Sequence, residues 1–184
     1  MFAYCENNAI VMYDPTGRDA WWLQDTGAVY NFGHTSLLIQ QSKGNWWYFY
    51  WGDKSIQLIY IGTCTLKSLN KKLHQLKLYD KKHSYNKVIK FKGNFTASIT
   101  YILQKMNKSK KLLSKKGNII VNGNKKYFLF YNNCVQVSIE ALMKGTFSRY
   151  NTLLHSKLFI LRYNRYIPNQ IYYELKLFCM PLGY

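Results

Sequence analysis

Cys134 follows Asn132-Asn133 and precedes Val135-Gln136-Val137-Ser138, a setting that predicts a helix starting at the cysteine. Asparagine is a preferred helix cap, because its side-chain oxygen accepts a backbone N–H that the first turn leaves unpaired. A thiol in that turn meets those N–H groups and the positive end of the helix dipole, which favour the nucleophilic thiolate. Cys134, Val137, Ser138, Ala141 and Leu142 share one helix face, which sets the sulfur at the edge of the core. Buried cysteines also serve as small hydrophobes, so nucleophilic chemistry needs a base within reach. His34 is the candidate base: it follows Gly33 and opens an apolar run, so its imidazole is held at the start of a strand. His74 and His83 lie among lysines, and His155 is the remaining competitor. Cys5, Cys64 and Cys179 are widely spaced and form no CxxC or CxxH pair, so no metal site is expected.

The elements that must position these two residues follow from periodicity. The apolar run at 35–40, a turn over 41–45 and the unbroken aromatic run at 46–51 predict a hairpin that ends at Gly52-Asp53. A third strand is expected at 56–63. Leu66, Leu69, Leu73 and Leu76 recur at helical spacing and predict a helix over 65–76. Residues 88–91 read as strand, and 96–106 as helix with Ile99, Ile102, Leu103 and Met106 on one side. Two runs, 119–121 and 127–131, flank Asn122-Gly123-Asn124, a hairpin signal. The helix capped by Asn133 runs to about Lys144 and is stopped by Gly145. Strands, helices, strands and a helix in that order predict an α+β fold with an antiparallel sheet.

The chain has 184 residues, 48% hydrophobic and 17% aromatic, which suits one folded domain and excludes a disordered or collagen-like chain. No run of 18 uncharged apolar residues predicts a membrane span, and the first residues lack the pattern of a signal peptide. Twenty-six basic residues against 8 acidic ones give +18, a balance that favours a polyanionic or acidic partner. The excess is lysine, with arginine only at 18, 149, 162 and 165, and lysine is a point charge rather than a base-reading fork.

Gly33-His34-Thr35-Ser36-Leu37-Leu38-Ile39 and, about a hundred residues later, Asn133-Cys134-Val135-Gln136 resemble the circularly permuted branch of the papain-like NlpC superfamily. That branch includes the lecithin:retinol acyltransferase-like proteins. The resemblance covers about residues 27–144 and implies a papain-like antiparallel sheet packed against helices. It implies Cys134 as nucleophile and His34 as general base and acid. The family's third site residue is polar and lies on the strand after the histidine strand. Here that strand has no His, Asn or Gln, so Tyr48, Tyr50 or the following Asp53 would serve as orienting group.

A second resemblance lies at the start. Phe2-Ala3-Tyr4-Cys5-Glu6-Asn7-Asn8 and Asp14-Pro15-Thr16-Gly17 resemble the closing segment of an RHS (YD-repeat) core. It implies a core remnant and linker at 1–26, an effector domain at 27–184, and secretion or delivery into a target cell as part of a larger RHS protein. It also implies an acidic immunity protein as partner.

The resulting expectation is a toxin-type cysteine hydrolase that needs no cofactor and cleaves an amide bond in a protein or in peptidoglycan. Three alternatives stand beside it. One is a nucleic-acid-targeting effector, a nuclease or a binder, suggested by the charge and by lysines interleaved with aromatics. Another is a lipid acyl hydrolase or acyltransferase, and the last is a non-enzymatic interaction module.

Overall fold

The aromatic run of the sequence lies inside a sheet that is buried on both faces, which is why it shows no polar alternation. The computed structural model describes residues 18–28, 30–42, 45–51, 56–63, 65–75, 84–106, 120–123, 133–145, 152–163 and 167–179. In chain order the elements are β1 (Ala20–Asp25), β2 (His34–Ser42), β3 (Asn45–Trp51), β4 (Ile56–Gly62), α1 (Leu66–Gln75), β5 (Lys87–Phe91), α2 (Thr96–Lys105), β6 (Ile120–Gly123), α3 (Cys134–Gly145), α4 (Thr152–Tyr163) and α5 (Pro168–Cys179). The sheet has six strands in the order β5-β1-β2-β3-β4-β6, and every neighbouring pair is antiparallel. The fold is mixed α+β, as the order of elements predicts.

Strand alternation assigns each side chain to one of two layers. Trp22, Leu37, Ile39, Trp47, Phe49, Trp51 and Leu58 face α2, α3, α4 and α5 and form the larger core with them. Leu23, Leu38, Trp46, Tyr48, Tyr50 and Ile59 face the other way and pack with Leu69 of α1 and with Tyr85. Thr65 caps α1 by accepting the Ser68 N–H at 3.2 Å, and Lys72 Nζ donates to the carbonyls of Ile61 at 2.7 Å and Thr63 at 2.8 Å. These bonds tie α1 to the end of β4.

The expected boundary at 26/27 cuts through this unit. Residues 20–25 form β1, an interior strand hydrogen-bonded to β2 on one side and β5 on the other. Its Ala20, Trp22, Leu23 and Gln24 are fully buried. The burial comes from partners far along the chain, such as Leu37 opposite Trp22 and Val88 opposite Leu23, so local composition does not reveal it. The motifs at 2–8 and 14–17 lie outside the described residues, as does the strand expected at 127–131. β6 pairs with β4.

Helices α4 and α5 add to the sequence-based elements. Leu154, Leu158 and Leu161 are buried on α4, and Ile171, Tyr172, Leu175 and Cys179 on α5, both at helical spacing. Pro168 opens α5, where its fixed φ and missing N–H suit the first position.

Two outcomes check this architecture. A chain starting at Gly27 lacks β1, which leaves β5 without its strand neighbour and β2 paired on one edge alone, so it should lose cooperative unfolding in urea while the chain from Arg18 keeps it. Gly145→Ala should cost about 1–3 kcal/mol in the same measurement, because a Cβ there would stand 2.4 Å from the Phe95 ring and 3.0 Å from Phe95 Cα.

Candidate functional site

Asn133 caps α3 as its sequence demands: its Oδ1 accepts the Gln136 N–H at 2.9 Å, and its carbonyl accepts the Val137 N–H at 3.4 Å. Cys134 is therefore the first residue of the helix, and it is 1% exposed within the helix-side core. The direction of α3 follows from its other end. Gly145 abuts Phe95, whose N–H donates to the Arg18 carbonyl, next to Asp19, whose carbonyl accepts the Gln40 N–H. The C-terminus of α3 thus lies where β2 ends. Since α3 packs on β2, its N-terminus is directed to the end where His34 begins that strand. Glu140 holds the helix to α2 by accepting from Tyr101 Oη and pairing with Lys105 Nζ at 3.2 Å.

His34 follows Gly33, which has a φ of +88°, a conformation that suits glycine. Gly33 is also required by space. A Cβ would meet Asn169 Oδ1 at 2.2 Å and Gln24 Nε2 at 2.5 Å. Asn169, in the first turn of α5, fastens the turn before β2: its Nδ2 donates to the carbonyls of Thr26 at 3.0 Å and Asn31 at 2.8 Å, and its Oδ1 accepts from Gln24 Nε2 at 2.9 Å. Gln24 Oε1 in turn accepts from Thr35 Oγ1 at 2.7 Å and Trp22 Nε1 at 3.2 Å. The backbone that carries His34 is thereby set from the helix side.

The imidazole itself lies among groups of the other layer. Its Nε2 is 3.3 Å from Ser36 Oγ, and its ring centroid is 5.1 Å from that of Tyr50 and 6.4 Å from that of Tyr85. Asp25 is the Cα partner of His34 across the β1–β2 ladder, 7% exposed. Its two carboxylate oxygens accept the N–H groups of Gly27 and Ser84, each at 3.1 Å.

Among the residues expected from sequence, the structure brings His34 and Tyr50 into ring contact and directs Cys134 to the same end of the sheet from the helix layer. Asp53 lies outside the described residues, as do Cys5 and Cys64. His155 belongs elsewhere: its Nδ1 is 3.2 Å from the Met143 carbonyl, beside a cavity of about 430 Å³ that Glu140 and Phe159 also line. Met143 is about 13 Å along α3 from Cys134 at the helical rise per residue. Sequence reasoning missed Ser36, Tyr85 and Asp25. Ser36 was legible, since a strand period of two puts it on the face of His34. Asp25 and Tyr85 come from outside the hairpin and carry no local signal. Among the described residues no group of three or more His, Cys, Asp or Glu is arranged to hold a metal ion, and no helix is long and apolar enough to cross a membrane.

Cys179 offers a contrast to Cys134. Its thiol is 1% exposed on α5, and burial pushes its pKa up from 9.0 to about 12. Because the folded value lies above the unfolded one, the associated stability is full below pH 9.0 and is lost as the pH rises toward about 12. Cys179→Ala should therefore flatten the fall of urea stability between about pH 9 and about pH 12. In the native wild type, Cys179 should resist alkylation near neutral pH.

No protein-family profile, no curated protein and no solved structure matches this chain.

Proposed function

We propose that this chain is the effector part of an RHS-type protein and acts as a papain-like cysteine hydrolase on an amide bond. The observation that supports this most is the orientation of α3, whose Asn-capped first residue is Cys134, toward the end of β2 that begins with His34. In this reading Cys134 Sγ, in the helix layer, reaches the His34 imidazole of the other layer past the start of β2, gives it its proton and attacks the carbonyl carbon. The N–H of Cys134, at the helix start, meets the developing oxyanion. His34 returns the proton to the leaving nitrogen, the C–N bond breaks and a thioester remains. Water, deprotonated by the same imidazole, then releases the acid and restores the thiol.

A stem peptide of an anionic cell wall, or a protein chain, is the substrate this reading favours, since the protein carries +18. An acidic immunity protein is the partner that would neutralise it. One observation favours a second substrate, a lipid acyl ester: Phe159, Ile160, Tyr173 and Leu177 on α4 and α5 are between 46% and 71% exposed on a strongly basic protein.

Cys134→Ala and His34→Ala should each lower activity on the order of 10³-fold or more, and the double variant should be no worse than either, because nucleophile and base act as one unit. Growth arrest on expression inside bacteria and amine release from wall peptides or denatured protein are the readouts, with circular dichroism to confirm the fold. Full activity in both single variants would remove the assignment. Fatty-acid release from anionic vesicles, with peptides untouched, would move the substrate to the ester.

A further inference from the structure

The turn between β1 and β2 holds a strained residue out in solvent. Tyr30 has a φ of 53° and is 95% exposed, so no packing of its ring compensates the left-handed backbone. Phe32 is 43% exposed, and Ile167, just before α5, is 42% exposed. The start of α5 lies against the turn: the Asn169 N–H donates to the Phe32 carbonyl at 3.1 Å, and Asn169 Nδ2 donates to the Asn31 carbonyl at 2.8 Å. The Gly33 N–H closes the turn on the Ala28 carbonyl at 2.9 Å. Three apolar side chains thus stand exposed on a backbone fastened from both sides.

Their place in the fold suggests a use. Tyr30 and Phe32 precede His34 in the chain, at the end of the sheet toward which α3 directs Cys134. Residues 26–33, 133–137 and 167–171 contain no Asp, Glu, Lys or Arg, although the chain carries 26 basic residues. Asp25, where the turn begins, directs its carboxylate at the N–H groups of Gly27 and Ser84. The overall charge of +18 acts at long range, but the side chains at this rim match an uncharged, apolar group. Aromatic rings on a rigid backbone bury a large apolar area on contact and have little conformational freedom left to lose.

We infer that the β1–β2 turn is a preformed lip of the hydrolase site, on which the Tyr30 and Phe32 rings receive a large apolar or aromatic side chain next to the scissile amide of a protein substrate. The cleavage rests on the proposed Cys134 chemistry, whereas the binding surface rests on the turn itself. A protein chain fits this lip better than a cell-wall stem peptide, whose side chains are mainly methyl groups and charged groups. The strain at Tyr30 keeps a ring where a substrate can reach it and the core cannot.

Variants at Tyr30 in the full chain separate a binding duty from a structural one. Tyr30→Asn and Tyr30→Gly remove the ring and suit the left-handed backbone, so the urea unfolding midpoint should stay at or above the wild-type value. Activity is read on peptides that differ only in the residue flanking one amide. Wild type should cleave Phe and Leu peptides with a kcat/KM about 10-fold or more above Ala and Glu peptides, the order of discrimination an apolar contact provides. Tyr30→Asn should reduce that preference to about twofold or less, and Tyr30→Phe should keep it. In NMR spectra of Cys134→Ala, millimolar N-acetyl-phenylalanine amide should shift the Tyr30 and Phe32 ring signals, and N-acetyl-alanine amide should not.

Equal cleavage of Phe and Ala peptides by the wild type overturns the lip, as does an undiminished preference in Tyr30→Asn. A lower unfolding midpoint in both Tyr30→Asn and Tyr30→Gly also overturns it, by giving the ring a structural duty. Ring signals that respond to anionic vesicles but not to the phenylalanine amide overturn it in favour of a lipid surface. Ring shifts with the phenylalanine amide together with full activity in Cys134→Ala uphold the lip and overturn the cysteine chemistry instead.

Discussion

The sheet is covered on both faces, and most of the structure answers to that constraint. A strand with one wet face can turn its polar groups to water, but the interior strands β2 and β3 cannot. Trp47, Phe49 and Trp51 fill the helix side of β3 while Trp46, Tyr48 and Tyr50 fill the other. Each full Phe or Trp of such a set is worth about 3–5 kcal/mol against alanine, so the aromatic run dominates the energetics of the domain. Two sets of polar groups that enter the sheet satisfy one another. On the helix side Gln24, Thr35 and Asn169 form one such set, and on the other side His34, Ser36, Tyr48 and Tyr85 form a second.

Both polar sets gather at one end of the sheet, where β1 turns into β2. That turn holds Tyr30 at φ 53° and Asn31 at φ 68°, before Gly33 at φ 88°. A left-handed tyrosine is strained, and such strain persists only where surrounding bonds over-determine the backbone. Asn169 and the Gly33 N–H, which donates to the Ala28 carbonyl at 2.9 Å, supply those bonds. The start of α5 therefore fastens the turn from outside as Gly33 does from within, and His34 follows directly on it.

The helix layer is fixed in the same way from a distance. Gly145 allows α3 to close onto Phe95, and Glu140 ties it to Tyr101 and Lys105. With the far end held, the position of Cys134 is a consequence of helix length and direction. The thiol on α3 and the thiol on α5 differ by their surroundings rather than by exposure. Both are about 1% exposed, yet one begins a capped helix and the other closes a helix against apolar packing that raises its pKa to about 12.

Much of this was legible in the sequence. The hairpin of β2 and β3, β4, α1, β5, α2 and the capped α3 all follow from periodicity and capping, because those signals are local: one face of a helix, one turn, one cap. Cys134 and His34 stand out as candidates for the same reason, since each is marked by its immediate neighbours. β1 was not, because AWWLQD is short and is made a strand by β2 and β5 on either side of it. The buried residues of α4 and α5 also recur at helical spacing, a local signal of the same kind. The polar neighbours of His34 were decided by tertiary structure alone. Ser36 shares the face of His34 by strand period, but its third-party partners arrive from β3 and from the segment before β5, and only folding closes four polar groups into one dry site. Amino-acid order sets which faces are apolar and where helices begin; the desolvation that makes a buried hydroxyl seek its particular partner exists only once the layers have closed.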